Sequence, residues 1–465
     1  MKYAPGPWAA GRFGFRPAAC VKGNDVKMQK GIVVPPQMCV QGCHNCSNEC
    51  EQKELSVLSP EAAIAELLLA IGGQSVDSEI IPLAGALDRV TAEPMFATFN
   101  IPEATCAMHD GIAVDWENCS RKWERGERAL AADEFIHCPM GSVIPSGFDT
   151  LLHAEQCRIS KDNTAVLLAL PIQYQSVQPQ GSSVAEGEKI SEAGEKLTPS
   201  HLAMLQYAGI TQIPVKPRPR ISIVAIGNEL CSPGSRPQPG ENIDCDSIFI
   251  QAMARQCGAE AFVAPIVPDS EAEIEAAVER ELKQCDILVV IGGVGRGEQN
   301  YGDFTVKALR KLGTVLCHGA GISPGGKNLV LACAEGKPVL GIPGPPHAAI
   351  IMTERFLPPL IEHYLGCPCY EPQEIEVTLE ADLRPRGSSI WIPRLYVFKG
   401  DSGYTARVVD RLGDTVDNFV RAMASTTVYG DPEQYKKGRK VKARLLYGEK
   451  TLECKVRKML EQNED

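Results

Sequence analysis

Between residues 220 and 365 the chain alternates short apolar runs with helical stretches, and this alternation narrows its fold more than any other feature. The apolar runs read ISIVAI, AFVAPIV, DILVVIGG, TVLCHGA, NLVLAC and PVLGIPG; helical patterns begin near Asp246, Ser270, Phe304 and Pro346. Unbroken runs of branched residues suit strands covered on both faces. The expected architecture is a multidomain α/β chain in which residues 219–366 form a doubly wound α/β domain. Ligands of such sheets bind beyond the carboxyl ends of the strands. Four loops fall at those ends and are expected to meet on one rim: Gly227-Asn228-Glu229, Pro268-Asp269, Gly292 to Asp303, and Pro343-Gly344-Pro345.

The third loop is the most informative. It follows the run Ile287 to Ile291 and reads GGVGRGEQNYGD, with Gly292, Gly293, Gly295 and Gly297 around Arg296, then Glu298 and Asp303. Glycines after a buried strand let backbone N–H groups approach an anion, and an acid beside them suits a divalent cation carried with it. The reading is a phosphate-bearing ligand with a metal; the alternative is a tight turn without a ligand. A dinucleotide fingerprint is excluded by the spacing of Gly293, Gly295 and Gly297 and by their late position. GISPGGKN resembles a P-loop, but Asn328 replaces the hydroxyl that would hold magnesium and a strand pattern follows.

The 465 residues suggest about three domains. With 47 basic and 58 acidic side chains the net charge is −11, which argues against nucleic acid or an anionic membrane as partner. The apolar runs are far shorter than a membrane-spanning helix requires. The N-terminus lacks the apolar core of a secretion signal, so 18 cysteines imply a reducing cytoplasm with mostly free thiols. Cys257, Cys285 and Cys333 sit among apolar residues and read as small core side chains.

Residues 1–56 read as an irregular arm carrying Cys39, Cys43, Cys46 and Cys50. Four thiols this close can converge on one zinc ion or iron–sulfur cluster; free thiols or local disulfides are the alternative. Residues 57–114 together with 186–218 read as an elongated domain. Its first helix is capped by Ser59 and stopped at Gly72-Gly73, a second helix and an extended arm lie between Ile81 and Val114, and a further helix is capped by Thr198. Residues 115–185 read as an inserted β domain, 367–449 as a C-terminal β-barrel or sandwich, and 450–465 as a charged, fraying tail.

Taken in order, MHDGIAV, IPSGFDTLLHAEQ, GEKI, LAMLQYAGI, AIGNEL, VPDS, GGVGRGEQNYGD, SPGGK and IPGPP resemble the molybdopterin molybdenumtransferase family, which includes the E domain of gephyrin. The resemblance spans about 57–447 and implies a homodimer with sites shared between subunits. It also implies a reaction: adenylated molybdopterin is bound, molybdate is placed on its dithiolene, and AMP leaves with help from Mg2+. Asp110, Glu229, Asp269 and Glu298 match the family's functional acids. The ligand-binding positions implied are Gly227, Gly292, Gly293, Gly295, Arg296, Gly297, Asp303, Pro324, Gly325, Lys327, Pro343 and Gly344, with Asp246, Asp269 and Glu298 at magnesium. Asp110 also reads as a turn former, Glu229 as a surface acid, and Asp269 as the cap of the helix near Ser270. The chain departs from the family pattern at Met140, Lys189, Asn228, Gly295, Arg296, Asn300 and Pro345, and loss of carboxylates weakens a magnesium site. The alternative function is therefore a carrier or sensor that binds molybdopterin without turnover, with an N-terminal metal centre.

Overall fold

The computed structural model describes residues 58–73, 77–295, 304–369, 371–384, 389–400, 403–409, 416–448 and 450–452. The first helix, α1 (Pro60–Ile71), begins where Ser59 accepts the Ala62 N–H at 3.2 Å and ends at Gly72, whose φ is 65°. Ala63 and Leu67 on its buried face pack into the core of the α/β layer.

Beyond α1 the chain runs out and later returns along itself. Glu79–Pro82 pairs antiparallel with Gln212–Val215, Met95–Phe96 with Lys189–Ser191, and Cys106–Ala107 with Val177–Gln178. The helix expected between Ile81 and Val114 is absent; only a single 3-10 turn, Leu83–Gly85, occurs there. Its backbone groups are satisfied from the returning arm instead: Leu83 N–H donates to Thr211 O, Asp88 N–H to Leu197 O and Thr91 N–H to Glu195 O. Such partners, distant in sequence, override a local helical pattern.

The region between the arms carries a sheet of β1 (Gly111–Val114), β2 (Phe135–Cys138) and β3 (Thr150–His153), with β1 central, and a second small sheet around Ala165–Leu167. It also holds a helix that the strand-like reading missed, α2 (Trp116–Glu124), where Asp115 accepts the Glu117 N–H. Cys119 of α2 is buried in the core of this region and Trp123 packs against it. The returning arm includes α3 (Pro199–Tyr207), capped as expected by Thr198, which is paired reciprocally with His201.

The α/β layer is a six-stranded sheet. Its strands are β4 (Arg220–Ala225), β5 (Glu260–Val263), β6 (Ile287–Ile291), β7 (Gly313–His318), β8 (Val330–Ala334) and β9 (Lys337–Ile342), in the order β5-β4-β6-β9-β8-β7. All pairings from β5 to β9 are parallel, whereas β8 runs antiparallel to both neighbours. The helices α4 (Asp246–Gln256), α5 (Glu271–Leu282), α6 (Phe304–Leu312) and α7 (Pro346–Leu365) start where the sequence placed them. Alternation within β6 shows why its run is apolar throughout. Ile287, Val289 and Ile291 pack toward α1, α4 and α7, while Leu288 and Val290 pack toward α5 and α6.

The C-terminal part closes into a barrel of β10 (Glu374–Leu379), β11 (Arg394–Gly400), β12 (Gly403–Val408), β13 (Ala424–Ser425) and β14 (Lys440–Leu445). Leu452, the last described residue, is buried in the barrel core.

Candidate functional site

At the carboxyl ends of β4, β5, β6 and β9 the four loops line one cavity of about 730 Å3. After β4, the Ile226 N–H donates to Ile291 O at 2.8 Å and the Gly227 N–H to Val267 O at 3.0 Å, which binds this loop to β6 and to the segment that follows β5. The next two residues join the loops after β4 and β5. The Asn228 N–H donates to Asp269 Oδ2 at 2.9 Å, and the Asp269 N–H donates to Asn228 Oδ1 at 3.1 Å. Asp269 therefore does not cap α5: Ser270 holds the N-cap position, and its side chain makes no capping bond.

The turn after β6 depends on glycine. Gly292 has φ 88°, and a Cβ there would stand 2.5 Å from Ile226 O; Gly293 has φ 63°, and a Cβ there would stand 2.4 Å from Thr305 Oγ1. Both positions need the left-handed region and a close approach, which only glycine permits. The Thr305 hydroxyl donates to Gly292 O at 3.2 Å and so ties the turn to the start of α6. Gly295 closes the described part of this wall; Arg296, Gly297, Glu298, Asn300 and Asp303 lie outside the described residues. Pro343, Gly344, Pro345 and Pro346 form the wall above β9.

A further wall was not anticipated as a whole. Leu230–Cys231 pairs with Asn242–Ile243, and Asp244, Cys245 and Asp246 then enter the cavity at the start of α4. Asp244 Oδ1 accepts the N–H groups of Asp246 and Ser247, each at 3.1 Å, so it caps α4. Asp246 is 5% exposed, and burial first, then the charge of Asp244, pushes its carboxyl up to about 7. Burial first, then the Asp246 carboxylate, pushes the Cys245 thiol up to about 11. Asp244 could have been found from the sequence as an acid two residues ahead of a helix start; Asn242 and Asn328, which also line the cavity, carry no such signal.

The cavity thus joins Glu229, Asp244, Asp246 and Asp269 with a glycine turn. Among the described residues no group of three or more His, Cys, Asp or Glu side chains converges as a ready metal site. Magnesium commonly takes one or two carboxylates and completes its shell with water and phosphate oxygens. Asp244 and Asp246 fit that requirement, and the buried carboxyl of Asp246 would gain from a cation. Asp269 has one oxygen engaged with Asn228 and one not so engaged.

Other expected residues lie elsewhere. Pro324, Gly325 and Lys327 are not among the cavity-lining residues, although a Cβ on Gly325 would meet Ala348 at 2.6 Å and Pro343 at 3.2 Å, so this turn buttresses the wall above β9. Gly227 underlies the Glu229 carboxylate, whose oxygens stand 2.6 and 2.7 Å from where a Cβ would be. Asp110 accepts the Met140 N–H at 2.8 Å and lines a separate cavity of about 350 Å3 with His137, Cys138 and Cys157. Lys189 pairs with Glu192 at 2.9 Å. Cys39, Cys43, Cys46 and Cys50 lie outside the described residues.

Comparison with known proteins adds the following. A family model of the MoeA N-terminal region, domains I and II, matches residues 58–209, and a model of a probable molybdopterin binding domain matches 222–363. A molybdopterin molybdenumtransferase of Haemophilus influenzae is 27% identical over 300 residues, covering 62% of this chain and 73% of that protein. Molybdopterin molybdenumtransferase 2 of Mycobacterium tuberculosis is 26% identical over 362 residues, covering 71% and 85%. The crystal structure of a molybdopterin biosynthesis MoeA protein from Pyrococcus horikosii shares the fold with a TM-score of 0.72 at 22% identity, over 84% of this chain and 100% of that one.

Proposed function

This chain belongs to the molybdopterin molybdenumtransferase family, and from that premise we propose that it is an enzyme of molybdenum cofactor biosynthesis that inserts molybdate into adenylated molybdopterin and releases AMP. The observation that carries this reading is that four carboxylates and a left-handed glycine turn line one cavity at the carboxyl end of the sheet. The glycine turn after β6 lets a phosphate approach its backbone closely. Asp244 and Asp246 would hold Mg2+, and Glu229 and Asp269 line the same cavity. A magnesium ion held there would supply positive charge to offset that on the phosphate oxygens.

The homodimer implied by the family resemblance belongs to the same proposal. It would bring Asp110, which lies outside the rim cavity of its own chain, to the rim of a partner copy. Light scattering that finds only monomers at micromolar concentration overturns this part.

A second reading, a molybdopterin binder without turnover, is favoured by one observation: Asp269 has an oxygen committed to the Asn228 N–H rather than open to a ligand. One experiment separates the two. Purified protein is offered adenylated molybdopterin, molybdate and Mg2+, and ligand binding and AMP release are followed together. Magnesium-dependent release that falls on the order of 100-fold in Asp246→Asn supports the enzyme. Tight binding without release supports the binder, and no binding of any pterin rejects both.

A further inference from the structure

At the far end of α4 from the rim, a second cavity of about 190 Å3 lies where the elongated arm, α4 and the segment leaving α7 meet. Its charged lining is Asp88, Lys196, Arg218 and Arg255. Three cations thus share the cavity with one carboxylate, in a chain whose net charge is −11. Lys196 pairs with Asp88 at 3.3 Å. Arg218 and Arg255 have no hydrogen-bond or ion-pair partner among the described residues. Glu362 is not part of the lining, and its Oε1 accepts the Cys369 N–H at 3.2 Å.

Both arginines stand on fixed backbone. Arg218 is half-buried between Pro217 and Pro219, which restrict the chain on either side of it. Just before it the Lys216 N–H donates to Val90 O at 2.8 Å, and just after it Pro219 O accepts the Glu260 N–H at 2.9 Å. Arg255 lies in the last turn of α4, where its carbonyl accepts the Gly258 N–H at 3.0 Å. A cation in a last turn also offsets the negative end of a helix. That role does not account for Arg218, which belongs to no helix. The end of α7 has its own cation, since Lys216 Nζ donates to Leu365 O at 2.6 Å.

We propose that Arg218 and Arg255, with Lys196 beside them, form a binding site for a tetrahedral dianion, either inorganic phosphate or the phosphate group of a small monoester. The two unpaired positive charges match the charge of one such ion. Guanidinium groups suit its oxygens because each can donate two parallel N–H bonds. The volume is below that of an ordinary organic-ligand pocket and suits an ion or a headgroup. An anion held there bridges the 217–219 segment and α4, and so ties the arm to the α/β layer at a place distant from the rim.

The test uses the full chain and a thiol of the cavity as reporter. Cys367 lines the cavity and is half-buried; Cys106 is also half-buried and lies outside it. Reduced protein is alkylated with iodoacetamide in rising inorganic phosphate or, separately, glycerol 3-phosphate, with sodium chloride holding the ionic strength constant. The rate at each thiol is read by tryptic mass spectrometry. The expected result is saturable protection of Cys367 and an unchanged rate at Cys106. The anion that protects at the lower concentration identifies the source. Arg218→Gln and Arg255→Gln should each raise the half-protecting concentration on the order of tenfold. Absence of protection by both anions overturns the proposal, as does equal slowing of Cys106 or protection that persists unchanged in both variants. The unaltered protein decides the matter by itself if a variant does not fold, since protection confined to Cys367 is required of it.

Discussion

Asn228 and Asp269 exchange two hydrogen bonds, each backbone N–H donating to the other's side-chain oxygen, at 2.9 and 3.1 Å. This reciprocal pair turns two loops that follow separate strands into one lip of the cavity. Its removal should be felt both in stability and at the site. Asn228→Ala loses one bond of the pair and is expected to cost about 1 kcal/mol. Urea unfolding that shows the midpoint unchanged would argue that the lip is held by other means.

Asp246 gives the protein a pH signature. Its carboxyl moves from an ordinary 3.8 to about 7 in the folded chain, so the folded state binds the extra proton between those values. Stability from this group is therefore greatest below about pH 4 and falls as the pH rises toward 7, at a limiting rate of about 1.4 kcal/mol per unit. Asp246→Asn removes the penalty, so the variant should be more stable than the parent at pH 8 and equal to it near pH 4. Mg2+ should narrow the gap at pH 8 by stabilising the parent alone. Thermal melts across that range, with and without Mg2+, check both statements.

Gly292 tolerates no side chain. Ala at this position meets Ile226 O and must hold a left-handed backbone, so Gly292→Ala is expected to destabilise by about 2 kcal/mol or more. A denaturation midpoint equal to that of the parent would show that the turn after β6 is free to move, contrary to its bonds with Ile342 and Thr305.

Arg394 of β11 is a buried cation, 6% exposed, that donates to Glu354 of α7 at 2.6 Å and packs over the Phe419 ring at 4.5 Å. Its Nε and Nη1 have no hydrogen-bond partner among the described residues. Glu354→Ala leaves that charge without its carboxylate and is expected to cost about 3–5 kcal/mol. Arg394→Met, which removes the charge itself, should cost less. Calorimetry of the two variants side by side tests the order, and a smaller loss in Glu354→Ala would reverse the interpretation.

Much of the α/β domain was determined by the sequence alone. Its central strands β4, β6 and β9 are buried on both faces, so their apolar runs are continuous, and each meets Gly or Pro within two residues of its end, where the chain must turn. The starts of α1 and α3 were legible for the same reason: Ser59 and Thr198 each stand before a proline and accept an N–H within the first turn. These are local signals, carried by residues within one turn or one strand of each other. The tertiary structure decided what depends on partners far along the chain. The 79–107 segment is extended because residues 177–215 supply its hydrogen bonds, and no helical period within it could reveal that. Asp269 looked like a cap, yet its carboxylate finds the Asn228 N–H, which comes near only when β4 and β5 lie side by side. The weakened acidity of Asp246 arises likewise from burial at the head of α4 beside Asp244, an environment that exists only once the chain has folded.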